Sequence, residues 1–208
     1  MRISIPLKSV SLLIATLVSA LGVTAKAQNN AAASPQPRSE LAVTYTFVRS
    51  NAPVGDCGCF NLNGGSASYA LDLGHSPFAV VGDVSVTHNG GIYHADAGAP
   101  GSSLTMTTFL GGLRYHPHFG RMLFKPFGQV LVGGAHTSGS IFDNQDSPTA
   151  STAGTAFAAS VGGGLDLRVK RHFAIRLVEV DYLVTKFANG DNDHQNDLRI
   201  NSGIVFRF

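Results

Sequence analysis

Four groupings in this sequence carry residue types that could do chemistry. Cys57 and Cys59 are its two cysteines, set as CGC inside the polar stretch SNAPVGDCGCFNLNGG. Two thiols could close a disulfide or offer soft donors to a metal, but a structural zinc site needs four donors and no His or second Cys pair lies nearby. A one-residue spacing makes a small, strained ring, so a loop staple or a pair of reactive thiols is the expectation. His136-Thr137-Ser138 sets an imidazole two residues from a hydroxyl, the combination in which a general base activates an oxygen nucleophile. His116-Pro117-His118, His75 and His172 fall at short turns with no carboxylate beside them, which favours an interfacial role over a metal cluster. Finally Asp72, Asp83, Asp166, Glu179, Asp181, Arg199 and Arg207 recur inside otherwise apolar runs. Charges spaced like that need an element with one wet face.

That element is a β-strand of period two, because successive side chains point to opposite sides of the pleat. The last eleven residues, LRINSGIVFRF, set Leu198, Ile200, Ile204, Phe206 and Phe208 on one face and Arg199, Asn201 and Arg207 on the other. Seven more runs precede it: ELAVTYTFVR, SASYALDLG, FAVVGDVSVTH, SLTMTTFLGGLRYH, LFKPFGQVLVGGAH, TAFAASVGGGLDLRV and FAIRLVEVDYLVTKF. Long polar connections follow the first, third, fifth and seventh runs, and the short ones HSP, PHFGRM and KRH follow the second, fourth and sixth. In an up-and-down barrel alternate connections lie at opposite ends, so the long loops gather at one rim and the tight turns at the other.

The composition agrees. Charged residues make up 13% of the chain, about half the share of an ordinary soluble domain, and glycines number 24. Residues 1–27 read as a secretory signal peptide, with basic Arg2 and Lys8, the apolar SVSLLIATLVSALGV and the exit Ala25-Lys26-Ala27. Its apolar run is too short for a spanning helix. The leader holds three of the fifteen Lys and Arg and none of the thirteen acids, so twelve minus thirteen leaves a mature chain of formal charge −1, which gives no reason to expect nucleic acid. Residues 28–40 read as a flexible polar segment and 41–208 as the folded domain. No later run is apolar for 18 residues, so a membrane location requires a closed barrel, which satisfies its backbone hydrogen bonds internally.

Two strands assign their faces more fully. In the seventh, Arg176, Val178, Val180, Tyr182, Val184 and Lys186 share one parity; about ten residues tilted by about 40° rise roughly 25 Å, so Arg176 and Lys186 are expected to snorkel to the two edges of a lipid-facing band. Leu177, Glu179, Asp181, Leu183 and Thr185 then face inward. In the sixth, Phe157, Ala159, Val161, Leu165 and Leu167 oppose Ser160, Asp166 and Arg168, and Gly162, Gly163 and Gly164 fit a place where a narrow barrel bends or where large interior side chains need room. The fifth strand, with apolar residues at both parities and Pro126 near its start, allows no assignment.

KPFGQVLVGGA (125–135) and GGGLDLRVKRHFAIRLVEVDYLVTKF (162–187) resemble strands of the small outer-membrane β-barrel proteins, built like the eight-stranded membrane domain of outer membrane protein A. The resemblance covers residues 41–208 and implies an all-β, eight-stranded antiparallel transmembrane barrel in the cell outer membrane, non-enzymatic, with a structural or surface-interaction role. It implies that Ile204, Phe206 and Phe208 form the C-terminal signal read by the barrel-assembly machinery, and that outer-membrane lipid is the standing partner of a monomer that uses no cofactor or metal. An interior just wide enough for side chains excludes a general pore, and the seven charges named first are expected to form a paired network in it. Two alternatives come from other classes. His136-Thr137-Ser138 resembles the H-x-S of outer-membrane lipid A deacylases, but the following strand lacks the glutamate that orients the His. A soluble, lipocalin-like binding barrel would reverse the apolar and polar faces.

Overall fold

The computed structural model describes residues 39–50, 60–74, 76–92, 102–117, 122–139, 154–187 and 194–208. They form eight strands: β1 (Ser39–Ser50), β2 (Phe60–Asp72), β3 (Phe78–Ile92), β4 (Ser102–Tyr115), β5 (Phe124–Gly139), β6 (Gly154–Lys170), β7 (Phe173–Thr185) and β8 (Gln195–Arg207). Each pairs antiparallel with its sequence neighbours, and β1 also pairs with β8 from Glu40↔Arg207 to Ser50↔Asp197, closing the sheet into a barrel. Closure leaves no open edge to desolvate. The strands exceed the expected runs: FNLNGG extends β2, NGGI extends β3, and β1 begins at Ser39 rather than after residue 40. The strand ends that border 51–59, 93–101, 140–153 and 186–194 gather at one rim, and those that border 73–77, 116–123 and 171–172 at the other.

The outer wall is apolar. Val43, Val80, Val84, Phe109, Leu113, Val130, Val132, Phe157, Val161, Val180, Tyr182, Ile204 and Phe206 all stand exposed on it. Near the short-turn end Phe78 packs on Tyr115 (5.4 Å between ring centroids) and Phe173 on Phe206 (5.9 Å, edge-on), a pair of aromatic contacts at one height. A soluble barrel would hide these residues, so the lipocalin-like alternative does not fit.

The interior combines two materials. Val48, Leu62, Leu104, Met106, Leu131 and Leu183 pack into one apolar cluster toward the long-connection end, and Ala70, Ala79 and Val81 carry it down the β2–β3 wall. Charged side chains fill the lower part against β4 to β8. In β5, Phe127, Gln129, Leu131, Ala135 and Thr137 point inward and Val130, Val132, His136 and Ser138 outward, which settles the strand whose sequence was ambiguous.

One expectation is overturned. Arg176 faces the interior, 1% exposed, and Leu177 faces outward. The cause is a β-bulge: two ladder steps of β7 (Arg176 to Val178) answer one of β6 (Asp166 to Leu165), and three (Arg176 to Glu179) answer two of β8 (Gly203 to Asn201). One extra residue lets Leu177 and Val178 both face lipid and shifts the parity, so Ala174 and Arg176 below the bulge and Glu179, Asp181, Leu183 and Thr185 above it all point inward. Arg176 therefore does not snorkel. Lys186, at the far end, is exposed on the outer wall. The bulge frees the Arg176 carbonyl, and the lipid-facing Ser202 hydroxyl donates to it (3.1 Å).

Candidate functional site

The interior charges lie on six strands, β1, β3, β4, β6, β7 and β8, and are joined by hydrogen bonds. Arg199 of β8 donates from Nη1 to Asp83 Oδ1 of β3 (2.7 Å), across the barrel, and from Nε and Nη2 to Asp181 Oδ2 of β7 (3.1 and 2.8 Å). Arg176 grips Asp166 of β6 with Nε on Oδ1 (2.9 Å) and Nη2 on Oδ2 (3.3 Å), and donates from Nη1 to Glu179. At the floor Arg207 Nε donates to Glu40 Oε1 (2.7 Å), tying β8 to β1, while its Nη2 lies 3.5 Å from Asp166 Oδ2.

Neutral amides join the two halves. Gln129 accepts at Oε1 from Arg114 Nε and Nη2 (3.0 and 2.8 Å) and donates from Nε2 to Glu179 Oε1 (3.2 Å) and Asp181 Oδ1 (3.0 Å). Asn201 Nδ2 donates to Glu179 Oε1 (2.8 Å) and, more weakly, to Asp181 Oδ2 (3.4 Å). Both amides therefore bridge carboxylates two residues apart on one face of β7. The Phe127 ring carries the Arg114 and Arg176 guanidinium groups, each 4.4 Å from its centroid. Room for the ring comes from Gly164 across the ladder, where a Cβ would stand 2.7 Å from Phe127 Cζ.

Buried arginines 114, 176, 199 and 207 face carboxylates 40, 83, 166, 179 and 181, with half-buried Lys125 at the foot of β5 as a further cation. The charges of this network are close to balanced; Asp197, buried near the opposite rim, lies outside it and accepts from Ser50 Oγ. Such a network ties the strands to one another, and within it, among the described residues, no nucleophile, base and orienting acid stand together.

Of the sequence-predicted residues, Asp83, Asp166, Glu179, Asp181, Arg199 and Arg207 are gathered into this network, and Asp72 lies half-buried at the foot of β2 opposite Ala79. Glu40, Arg114, Gln129 and Arg176 were not foreseen as members. Arg114 lay near the end of the fourth run, whose faces were not assigned, Gln129 sat in the unassigned fifth, and Arg176 was misplaced by the bulge. Ile204, Phe206 and Phe208 all face outward, and the Phe208 N–H donates to Ser39 O (2.9 Å) at the seam. Cys57, Cys59, His75 and His118 lie outside the described residues. His172 Nδ1 shares a hydrogen bond with Arg207 O (2.9 Å), and among the described residues no His, Cys, Asp and Glu group is placed to hold a metal.

His116, just beyond β4, sits half-buried with its ring 6.2 Å from Phe127. Burial pushes its pKa down to about 4, with Glu40 opposing and Arg114 adding to the shift. His136 and Ser138 face outward on β5, and His136 Nδ1 shares its hydrogen bond with Thr155 Oγ1 of β6 (3.0 Å). The deacylase arrangement calls for an acid there; a threonine hydroxyl cannot stabilise an imidazolium as a carboxylate does.

No curated protein matches the sequence. Among solved structures, the chain is similar to the attachment invasion locus protein Ail of Yersinia pestis, with TM-score 0.54, 16% identity, 84% of this chain and 100% of that one covered. The same Ail in complex with the heparin analogue sucrose octasulfate gives TM-score 0.54 at 15% identity, again over 84% and 100%. Neisserial surface protein A gives TM-score 0.58 at 10% identity, covering 82% and 97%. At such identities the likeness is one of fold. The model of the outer membrane protein beta-barrel domain matches residues 13–208. With eight closed strands, an apolar wall and a charged interior, the chain belongs to that family of outer-membrane barrels and resides in the cell outer membrane.

Proposed function

We propose that this protein is a non-enzymatic surface-interaction barrel, in which the strands are a rigid mount and the long connections 51–59, 93–101, 140–153 and 186–194 carry specificity. The observation that supports this most is the filled interior: a buried ion-pair network below and an apolar cluster above leave side chains, not a passage, inside the sheet. A barrel filled in this way, whose described residues hold no oriented base, works through its surface. The chain is inserted as a monomer after removal of residues 1–27, and Ile204, Phe206 and Phe208 serve as its assembly signal.

The connections bear Asp56, Asp96, Asp143, Asp146, Asp191 and Asp193 against Lys186. An acidic crown disfavours polyanions, so the partner differs in charge from the heparin analogue seen on Ail and is neutral or cationic. The test replaces the four connections with short Gly-Ser turns and measures adhesion of intact cells to a panel of host-surface proteins and glycans. The reading expects a folded barrel, judged by heat-modifiable gel migration, with adhesion lost. Adhesion that survives all four replacements would refute it. Lipid analysis addresses the enzyme alternative: an acyl chain lost on expression, and kept with Ser138→Ala, would establish a deacylase.

A further inference from the structure

The outer wall has a polar collar near its long-connection end. In one ladder row His88 of β3, Thr105 of β4 and Ser138 of β5 lie side by side; in the next, Thr107, His136 and Thr155 do so on β4, β5 and β6. Four strands thus present six hydroxyl or imidazole side chains as one outward patch. Two units repeat within it: His88 Nδ1 shares a hydrogen bond with Thr105 Oγ1 (2.8 Å), and His136 Nδ1 with Thr155 Oγ1 (3.0 Å). Each pairing fixes the ring and leaves Nε2 directed away from its threonine.

The height of the patch is set by the strands. His88 lies ten residues above Phe78 on β3, and Thr105 ten above Tyr115 on β4. Ten tilted residues rise roughly 25 Å, one lipid-facing band. With the Phe78–Tyr115 contact at the inner edge, the patch stands at the outer edge, continuous with the wall that contacts lipid. The described strand wall around it offers cations and no outward acid, although the connections beyond the strands bear six aspartates in sequence. Among the described residues every carboxylate lies on an inward-facing position, whereas Arg49 and Lys186 are exposed on the outer wall near the same rim.

We propose that the β3–β6 patch of His88, Thr105, Thr107, His136, Ser138 and Thr155 binds the phosphorylated saccharide headgroup of an outer-leaflet glycolipid. Hydroxyls and fixed imidazoles match sugar hydroxyls in both donor and acceptor sense, and among the described residues no carboxylate on the wall opposes phosphate. An ordinary phospholipid headgroup is too small to span four strands, some 14 to 15 Å at about 4.8 Å per step.

The test uses the full mature protein folded into phosphatidylcholine nanodiscs, with purified lipopolysaccharide added at increasing ratio and the thermal midpoint followed by gel migration. Wild type is expected to gain several degrees, saturably, and His88→Ala/His136→Ala to lose at least half of that gain. His88→Phe/His136→Phe, which keeps a ring on the lipid-facing wall but removes both nitrogens, replaces it if the alanine pair fails to fold. Dephosphorylated lipopolysaccharide is expected to give a reduced but measurable shift. No shift in wild type, an undiminished shift in the histidine variants, or loss of the shift only on Arg49→Gln/Lys186→Gln would overturn the proposal, the last by assigning the effect to diffuse charge.

Discussion

Replacing Arg176 by methionine is the sharpest test of how the interior is held. The side chain is buried, bonds Asp166 twice and Glu179 once, and lies 4.4 Å from the Phe127 ring centre. Removing one member of a buried charged set costs about 3–5 kcal/mol, because the remaining charges stay out of water. Here the carboxylates keep some partners: Arg207 lies 3.5 Å from Asp166, and Gln129 and Asn201 still donate to Glu179. The lower end of the range applies, about 3 kcal/mol, with roughly 1 kcal/mol of it from lost stacking on Phe127. The chain has no tryptophan, so urea unfolding from lipid vesicles is best followed by gel migration and far-ultraviolet circular dichroism. Adding Asp166→Asn, which removes the orphaned charge, should recover about 1 kcal/mol. Had Arg176 snorkelled at the bilayer edge, its loss would cost under about 1 kcal/mol. A measured loss that small, or a double variant no better than Arg176→Met, would refute the inward assignment.

Three further outcomes follow from the geometry. Ser202→Ala strips the bulge carbonyl of its donor in a lipid environment and should cost about 1–2 kcal/mol in the same unfolding assay, whereas Ser202→Thr, which keeps a hydroxyl, should cost less. Gly164→Ala forces a methyl against both the Val178 carbonyl oxygen and the Phe127 ring and should cost about 1–3 kcal/mol; Phe127→Leu in the same chain should relieve only the ring clash. Because burial lowers the His116 pKa to about 4, the unfolded chain binds a proton at this residue before the folded one does. Stability is then full above about pH 6.5 and falls as pH drops toward 4, by about 2 kcal/mol after allowance for partial exposure. The slope should flatten in His116→Gln, measured as unfolding midpoints from about pH 7 to 4.

Strand number, closure and the faces of β6 and β8 were legible in the sequence because a two-faced strand between oil and a filled interior must alternate. Phe157 and Val161 against Ser160 and Asp166, or Ile204 and Phe206 against Arg199 and Arg207, allow one orientation at tolerable cost. Where alternation is broken by a single residue it misleads. In IRLVEVDYLVTK the ten-residue spacing of Arg176 and Lys186 suited two lipid edges, and the doubled Leu177-Val178, both outward, was the one local sign of the bulge. β5 stayed silent for a different reason: its inward Leu131 enters the apolar cluster while outward Val130 and Val132 meet lipid, so both faces are oily. Partner choice inside the network, such as Arg199 reaching Asp83 across the barrel, depends on shear and side-chain length, which no linear pattern encodes.

The distribution of interior partners bears on how such a chain crosses into lipid. Asp166, Arg176, Glu179, Asp181 and Arg199 all belong to β6, β7 and β8, and they are mutually bonded. That three-stranded meander carries its own counter-ions, so most of its charge is cancelled without the first strand. Sealing the cylinder then adds two long-range ion pairs, Glu40 with Arg207 at the β1–β8 seam and Asp83 with Arg199 across the interior. The last third of the chain is a nearly self-neutralised raft, and the first two thirds supply the greasy hull that wraps it.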